Sequence, residues 1–305
     1  MKYIPIASGA VNASAISLGC WRIAERTAAE AANLVSAALD AGINFFDNAD
    51  IYSGGRAEEV FAQAAGMTAD RREKIYVQTK CGIGNRCYDF SNGHILEAVE
   101  GSLRRLQTDY IDVLLLHRPD PLCEPEEVAE AFGELHDKGR VRHFGVSNFN
   151  SMQIELLQKS LGQKLVVNQM QFGPAHTGMI DAGINVNTKS EAANDRDGSV
   201  LEYCRLNNIT IQAWSPFQYG FIEGVILGSE KFPELNETIR RIAAEKGVSD
   251  MAVVVAWILR HPAKIQTIVG TTKAARLPLI AKACGIELSR RDWYDIYLAA
   301  GNQLP

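Results

Sequence analysis

The stretch 43–52, INFFDNADIY, decides how this chain is read. An apolar, strand-like run, Ile43–Phe46, ends on Asp47, and Tyr52 follows five residues later. Two later stretches repeat the pattern: KIYVQTK (74–80) ends on Lys80 and IDVLLLH (111–117) ends on His117. Each apolar run has the length of a buried strand, and a helical segment separates each from the next. Such βα alternation is the signature of a parallel sheet. When the sheet closes into a barrel, the C-terminal strand ends meet at one rim, where catalytic groups gather. Four polar residues distant in sequence are therefore expected around one substrate atom.

Working outward, the same alternation covers the chain. YIPIASGAVNASAISL (3–18) holds two short apolar runs around Ser8-Gly9 and predicts a β-hairpin before the main fold. ISLGCW (16–21) leads into an Ala-rich helix, 27–42, which Thr27 can cap and Gly42 can end. Further helices are expected near 57–65, 91–106, 125–138 and 152–159, with Pro125 suited to a first turn. VRHFGVS (141–147), LVVNQMQF (165–172), ITIQAWS (209–215) and IQTIVG (265–270) complete eight strand candidates. The fold expected is α/β, a (β/α)8 TIM barrel with an N-terminal β-hairpin and a C-terminal helix, in a single domain over 1–305. That last helix, within SRRDWYDIYLAAG (289–301), shows an apolar stripe of Trp293, Ile296, Tyr297 and Ala300 suited to packing on the barrel. One long irregular stretch, 173–198, follows strand six and is expected to be a lid or pocket wall.

Composition narrows the function classes. The hydrophobic fraction of 47% and charged fraction of 22% are ordinary for a soluble protein. A net charge of −5 and no basic block argue against nucleic acid as the main partner. The start lacks the apolar stretch of a secretory signal, and the longest apolar run, MAVVVAWIL (251–259), is too short to cross a bilayer. A cytoplasmic protein without a membrane partner is expected. The six cysteines, Cys20, Cys81, Cys87, Cys123, Cys204 and Cys284, form no CxxC pair, so no zinc ribbon or dithiol is expected. They read as buried reduced thiols, with Cys20 and Cys81 near strand ends facing the site. CGIGNRC (81–87) only imitates a dinucleotide fingerprint, because Cys87 stands at its last glycine and no helix begins there.

The four residues suit acid chemistry. A phenol ionises near pH 10, too high for easy proton exchange at neutrality. A lysine cation beside Tyr52 would lower that value, and Asp47 would hold Lys80 charged and in place. Tyr52 could then protonate a developing alkoxide while His117 donates to the same oxygen, which suits carbonyl reduction. Singly, each residue has a duller explanation: a turn aspartate, a packed tyrosine, a solvated lysine, a hydrogen-bonded histidine. Four at matching strand ends favour the site.

GINFFDNADIYSGG, VQTK, IDVLLLHRPD, GRVRHFGVSNF, VVNQ, AWSPF and VGTTKAAR, in this order over nearly the whole chain, closely resemble the aldo-keto reductase family. The resemblance implies a barrel with its hairpin over the N-terminal end, extended NADPH, and direct hydride transfer to aldehydes and ketones. It makes Asp47, Tyr52, Lys80 and His117 the catalytic tetrad, with Tyr52 the acid. It places Ser147, Asn148 and Gln169 on the nicotinamide carboxamide, Trp214 stacked on the nicotinamide, and Ser215 with the loop after it over the pyrophosphate. Thr271, Thr272, Lys273 and Arg276 would hold the 2′-phosphate, at a helix N-terminus after strand eight. Trp21 matches a substrate-pocket position, and Tyr88, Tyr219 and Phe221 are further candidates for an aromatic pocket. Leu279 and Ile280 stand where relatives often hold a polar pair against adenine. Relatives are commonly monomers, so a monomer is expected.

Two rival readings use the same residues. A metal-dependent barrel hydrolase would ligate through Asp47, Asp50, His117 and Asp120, against which Lys80 is a competing cation. A regulatory subunit sensing bound cofactor would need no turnover. The intact tetrad favours catalysis, with no metal.

Overall fold

The computed structural model describes residues 1–305. A hairpin of β1 (Tyr3–Ile6) and β2 (Val11–Ser14) comes first. Barrel strands follow: β3 (Ile16–Gly19), β4 (Phe45–Asp47), β5 (Tyr76–Cys81), β6 (Ile111–Leu116), β7 (Val141–Ser147), β8 (Leu165–Gln171) and β9 (Thr210–Trp214). After a two-stranded ribbon, β10 (Gln218–Tyr219) and β11 (Gly224–Val225), comes β12 (Gln266–Val269). The eight strands β3–β9 and β12 form a closed parallel barrel in which β12 joins β9 to β3.

The outer layer holds α1 (Ala28–Asp40), α2 (Arg56–Ala65), α3 (Ala69–Glu73), α4 (Asn92–Leu106), α5 (Pro125–Asp137), α6 (Ser151–Ser160), α7 (Gly178–Ile184) and α8 (Val200–Leu206). It continues with α9 (Pro233–Lys246), α10 (Asp250–Leu259), α11 (Leu277–Ala281) and α12 (Arg290–Ala299). Local chemistry sets the boundaries. Thr27 and Glu30 close a capping box on α1, and Gly42 follows its last turn at φ +81°. Ser91 caps α4, and Asn150 with Gln153 caps α6. Sequence periodicity missed α3, the β10–β11 ribbon, and the second of two helices between β9 and β12. In α10 every residue from Ala252 to Ile258 is buried, so no polar face marks it as amphipathic.

Two contacts fix the ends of the chain. The hairpin covers the N-terminal mouth, where Ser14 N donates to Asn44 Oδ1 and Gln266 Nε2 donates to Ser14 O, each at 2.7–2.8 Å. The closing helix α12 docks as its apolar stripe predicts. Trp293 stacks on Trp257 at 4.9 Å, and each indole N–H donates to the other's carbonyl. Burying a side chain of this size contributes about 1.5–3 kcal/mol.

The segment 173–198 is not the irregular loop expected. It carries α7 and a 3-10 turn (Glu191–Ala193), and its hydrogen bonds run to the outer shell. Asp181 accepts from Tyr297 of α12 at 2.8 Å, and Asp197 O accepts from Ser151 N of α6. No helix is long and apolar enough to cross a membrane.

Candidate active site

Strand pleat builds the centre of the site. Residues two apart on a strand face the same way, so Gln78 and Lys80 of β5 both point along the barrel axis while Thr79 points out to Glu58 of α2. Asp47, at the end of β4, sits opposite Gln78 in register. Lys80 is fully buried, and its Nζ donates to both oxygens of Asp47 and to Asn48 O, each at 2.8 Å. It also donates to the Tyr52 hydroxyl at 3.0 Å. The turn Tyr52–Gly55 brings that phenol back over the rim. Ser53, Gly54 and Gly55 all have positive φ there, and a Cβ on Gly55 would meet Arg105 at 2.8 Å.

His117 follows β6 directly, and its ring meets the Tyr52 ring edge-on at 5.9 Å. Burial, then the Lys80 and Arg118 cations, hold it well below the usual imidazole range. It is neutral, and its Nδ1 is buried without a protein partner. The four tetrad residues are thus brought to one place.

One expectation fails. The Tyr52 pKa is raised, not lowered: burial pushes it up by more than the neighbouring Lys80 pulls it down. Lys80 itself rises, because Asp47 and Tyr52 together outweigh the burial that works against its charge. The phenol therefore holds its proton throughout neutral pH. Since Lys80 donates to the phenol oxygen, the phenol's own O–H is left to donate elsewhere.

A set of buried glutamines, not foreseen, supports Asp47. Gln78 and Gln169 each donate to Asp47 Oδ1, at 2.6 and 3.0 Å, and both donate to Gln212 Oε1. Gln212 donates on to Gln266, which reaches Ser14 at the floor of the barrel. The sequence signal was available: a glutamine inside each apolar run, Gln78 in YVQTK, Gln169 in VVNQMQ, Gln212 in TIQAW and Gln266 in QTIV. In a barrel core such side chains persist only as a satisfied network.

The expected nicotinamide contacts form one linked rim. Ser147 donates to Gln169 O, Asn148 Nδ2 donates to Ser147 Oγ, and Trp214 Nε1 donates to Asn148 Oδ1 at 3.1 Å. Asn148 and Ser215 are both held at positive φ (62° and 49°), which aims the chain ends of β7 and β9. The Gln169 amide nitrogen is committed inward, which leaves Oε1 as the acceptor that a carboxamide N–H needs. These residues fit a nicotinamide. Trp21 stands 6.5 Å from Tyr52, centroid to centroid, with 46% of its surface exposed. Phe221 meets Trp214 edge-on, whereas Tyr219 packs on Phe232.

After β12, Thr271 Oγ1 accepts from Lys273 N, and Thr272 is partly exposed. Lys273 and Arg276 are exposed, so both cations are open to a phosphate. The helix expected there is a 3-10 turn leading into the five-residue α11. Of the two apolar positions beyond it, Ile280 is buried and only Leu279 reaches the surface. Two further expectations divide. Cys20 lies close enough to Asp47 and Lys80 to feel both, while Cys81 faces away, toward Asp50 and Glu58. Burial raises both thiols. The rival metal ligands do not converge: Lys80 occupies Asp47, and Asp120 accepts from Phe90 N and Leu122 N.

Comparison with known proteins agrees with this geometry. The Aldo/keto reductase family model matches residues 15–297. An uncharacterized oxidoreductase of Bacillus subtilis, YcsN, is 37% identical over 94% of this chain and 94% of its own length. A 6-dehydroglucose reductase of Agrobacterium fabrum is 34% identical, covering 97% of this chain and 98% of that protein. The solved structure of an aldo-keto reductase from Klebsiella pneumoniae in complex with NADPH aligns with a TM-score of 0.77 at 25% identity, over 97% and 93% of the two chains.

Proposed function

Because the chain belongs to the aldo/keto reductase family of oxidoreductases, we propose that it reduces aldehydes or ketones to alcohols with NADPH, Tyr52 supplying the proton. The observation that carries this reading is the Lys80 ammonium, held by Asp47 and donating to the Tyr52 oxygen at 3.0 Å. Bound NADPH supplies the hydride. Ser147, Asn148, Gln169 and Trp214 would orient its nicotinamide, Ser215 with the loop after it would cover its pyrophosphate, and Thr271, Thr272, Lys273 and Arg276 would hold its 2′-phosphate. Two exposed cations favour that phosphate over a bare ribose.

Tyr52 gives its proton to the carbonyl oxygen as negative charge develops there. The phenolate left behind is stabilised by the ammonium already hydrogen-bonded to it, which needs no rearrangement in the transition state. Neutral His117 donates one N–H to the same oxygen and adds no second cation beside Lys80. Trp21, beside Tyr52, and Phe221, beside Trp214, give the approach to the reacting carbon an aromatic lining. A relative named for reducing 6-dehydroglucose, and a neighbour holding NADPH, support a carbonyl substrate and this cofactor. The direct test follows NADPH absorbance over a panel of aldehydes and ketones. Decay that requires both carbonyl and protein is expected; tight NADPH binding with no turnover on any carbonyl would favour the cofactor-sensing role instead.

A further inference from the structure

Arg118 follows His117 and has no part in the proton transfer above. Its guanidinium carbon lies 5.9 Å from the Trp214 ring centroid and 5.5 Å from that of Phe221. Both distances are near the outer limit, about 6 Å, at which a cation is held by a ring. Arg118 joins none of the ion pairs of the molecule. The nearest acid in sequence, Asp120, is already bound to two backbone N–H groups. Yet Arg118 is half buried, and it is close enough to Tyr88 and Tyr52 for both phenols to act on its charge. A cation taken partly out of water, with five N–H donors and no acid partner, is arranged for an anion.

Its position says which anion. Around the barrel, β6 lies across the axis from β12, so Arg118 is on the far side from Thr271–Arg276. A phosphate held after β12 does not account for it. It adjoins the tetrad instead, next to His117 and within the aromatic walls of the pocket. We propose that Arg118 determines substrate specificity by receiving a carboxylate carried on the same molecule as the carbonyl. This rests on the reductase reading and names its substrate class: oxo-acids with an aldehyde or ketone at one end and a carboxylate at the other. Trp214 and Phe221 flank the guanidinium, and its partial removal from water strengthens an ion pair formed there.

The test compares ω-oxo-carboxylates of increasing chain length with their uncharged primary amides, in the wild type, Arg118→Gln and Arg118→Lys. The wild type is expected to prefer the acid at one chain length. Arg118→Gln should lower the acid-to-amide ratio of kcat/KM by about 10- to 100-fold, chiefly through KM. Arg118→Lys should restore part of the loss, because it keeps the charge without the planar fork. An equal fall for acid and amide would make Arg118 only a support for the aromatic rim and overturn the proposal. So would a wild type indifferent to the carboxylate at every length. A second readout needs no turnover: quenching of tryptophan fluorescence by unreactive saturated dicarboxylates in the NADP⁺-loaded protein. Salt-sensitive binding that Arg118→Gln abolishes supports the carboxylate site even if no carbonyl is reduced, whereas binding that is absent or unchanged in the variant counts against it.

Discussion

Asp47 ends β4 and Asp50 stands three residues later in the turn that follows, and the two carboxylates meet opposite environments. On the inner face, Asp47 accepts from an ammonium and two glutamine amides, and every partner lies in the barrel core. On the outer face, Asp50 lines a polar cavity of about 350 Å³ with His94, Glu97, Arg104 and Arg105. One oxygen of Asp50 is buried without a partner. Burial, then repulsion from Glu58, raises its pKa to about 7. Glu58 itself is tied to Arg105 at 2.7 Å and to Thr79. Identical side chains thus take opposite parts. The inner carboxylate anchors a cation next to the chemistry, and the outer one carries unrelieved desolvation.

The largest effect expected on the inner face comes from Tyr52→Phe. It should cut carbonyl reduction by about 10²–10⁴-fold, the usual worth of a positioned acid, with NADPH affinity retained. Turnover assays beside cofactor titration check this, and near-normal rates would move the acid elsewhere. Next, Lys80→Met should destabilise the fold by about 3–5 kcal/mol, since it strands Asp47 in the core. Adding Asp47→Asn should recover part of that loss in urea unfolding, and strict additivity would dissolve the pair.

Asp50→Asn should act in the other direction. A carboxyl whose folded pKa lies above its unfolded value binds more protons in the native state across the interval between them. Stability attributable to Asp50 therefore falls as pH rises from about 4 to about 7. The variant should be the more stable protein at pH 8, by on the order of 1–3 kcal/mol, and match the wild type below pH 4. Thermal melts across this range decide it, and a constant difference at all pH would remove the titration from the account. The smallest effect belongs to exposed charge. Lys273→Ala with Arg276→Ala should weaken NADPH by roughly tenfold while leaving NADH nearly untouched, because neither cation is preorganised by a buried partner. Equal weakening of both cofactors would end the 2′-phosphate assignment.

Most of the architecture was legible along the chain. Apolar runs ending on Asp47, Lys80, His117 and Ser147 mark strands, and their order implies closure. Caps such as Thr27 and Ser91 locate helix starts because they act within four residues. Helix α10 escaped because a helix buried on all sides has no polar stripe. The glutamine ladder escaped because each strand shows its glutamine only as a polar interruption of an apolar run, and only the closed barrel makes Gln78, Gln169, Gln212 and Gln266 neighbours.

By itself the sequence determined which chemistry the protein has to hand: a phenol, an ammonium, a carboxylate and an imidazole, each at a strand end. Tertiary structure decided their state. It turned Asp47 inward and Asp50 outward, kept Tyr52 protonated where a neighbouring cation alone would have loosened its proton, and left Arg118 without an acid. The physical reason is that residue type and spacing set which groups can meet. Desolvation and the full set of partners around each group appear only when the barrel closes, and they set its charge.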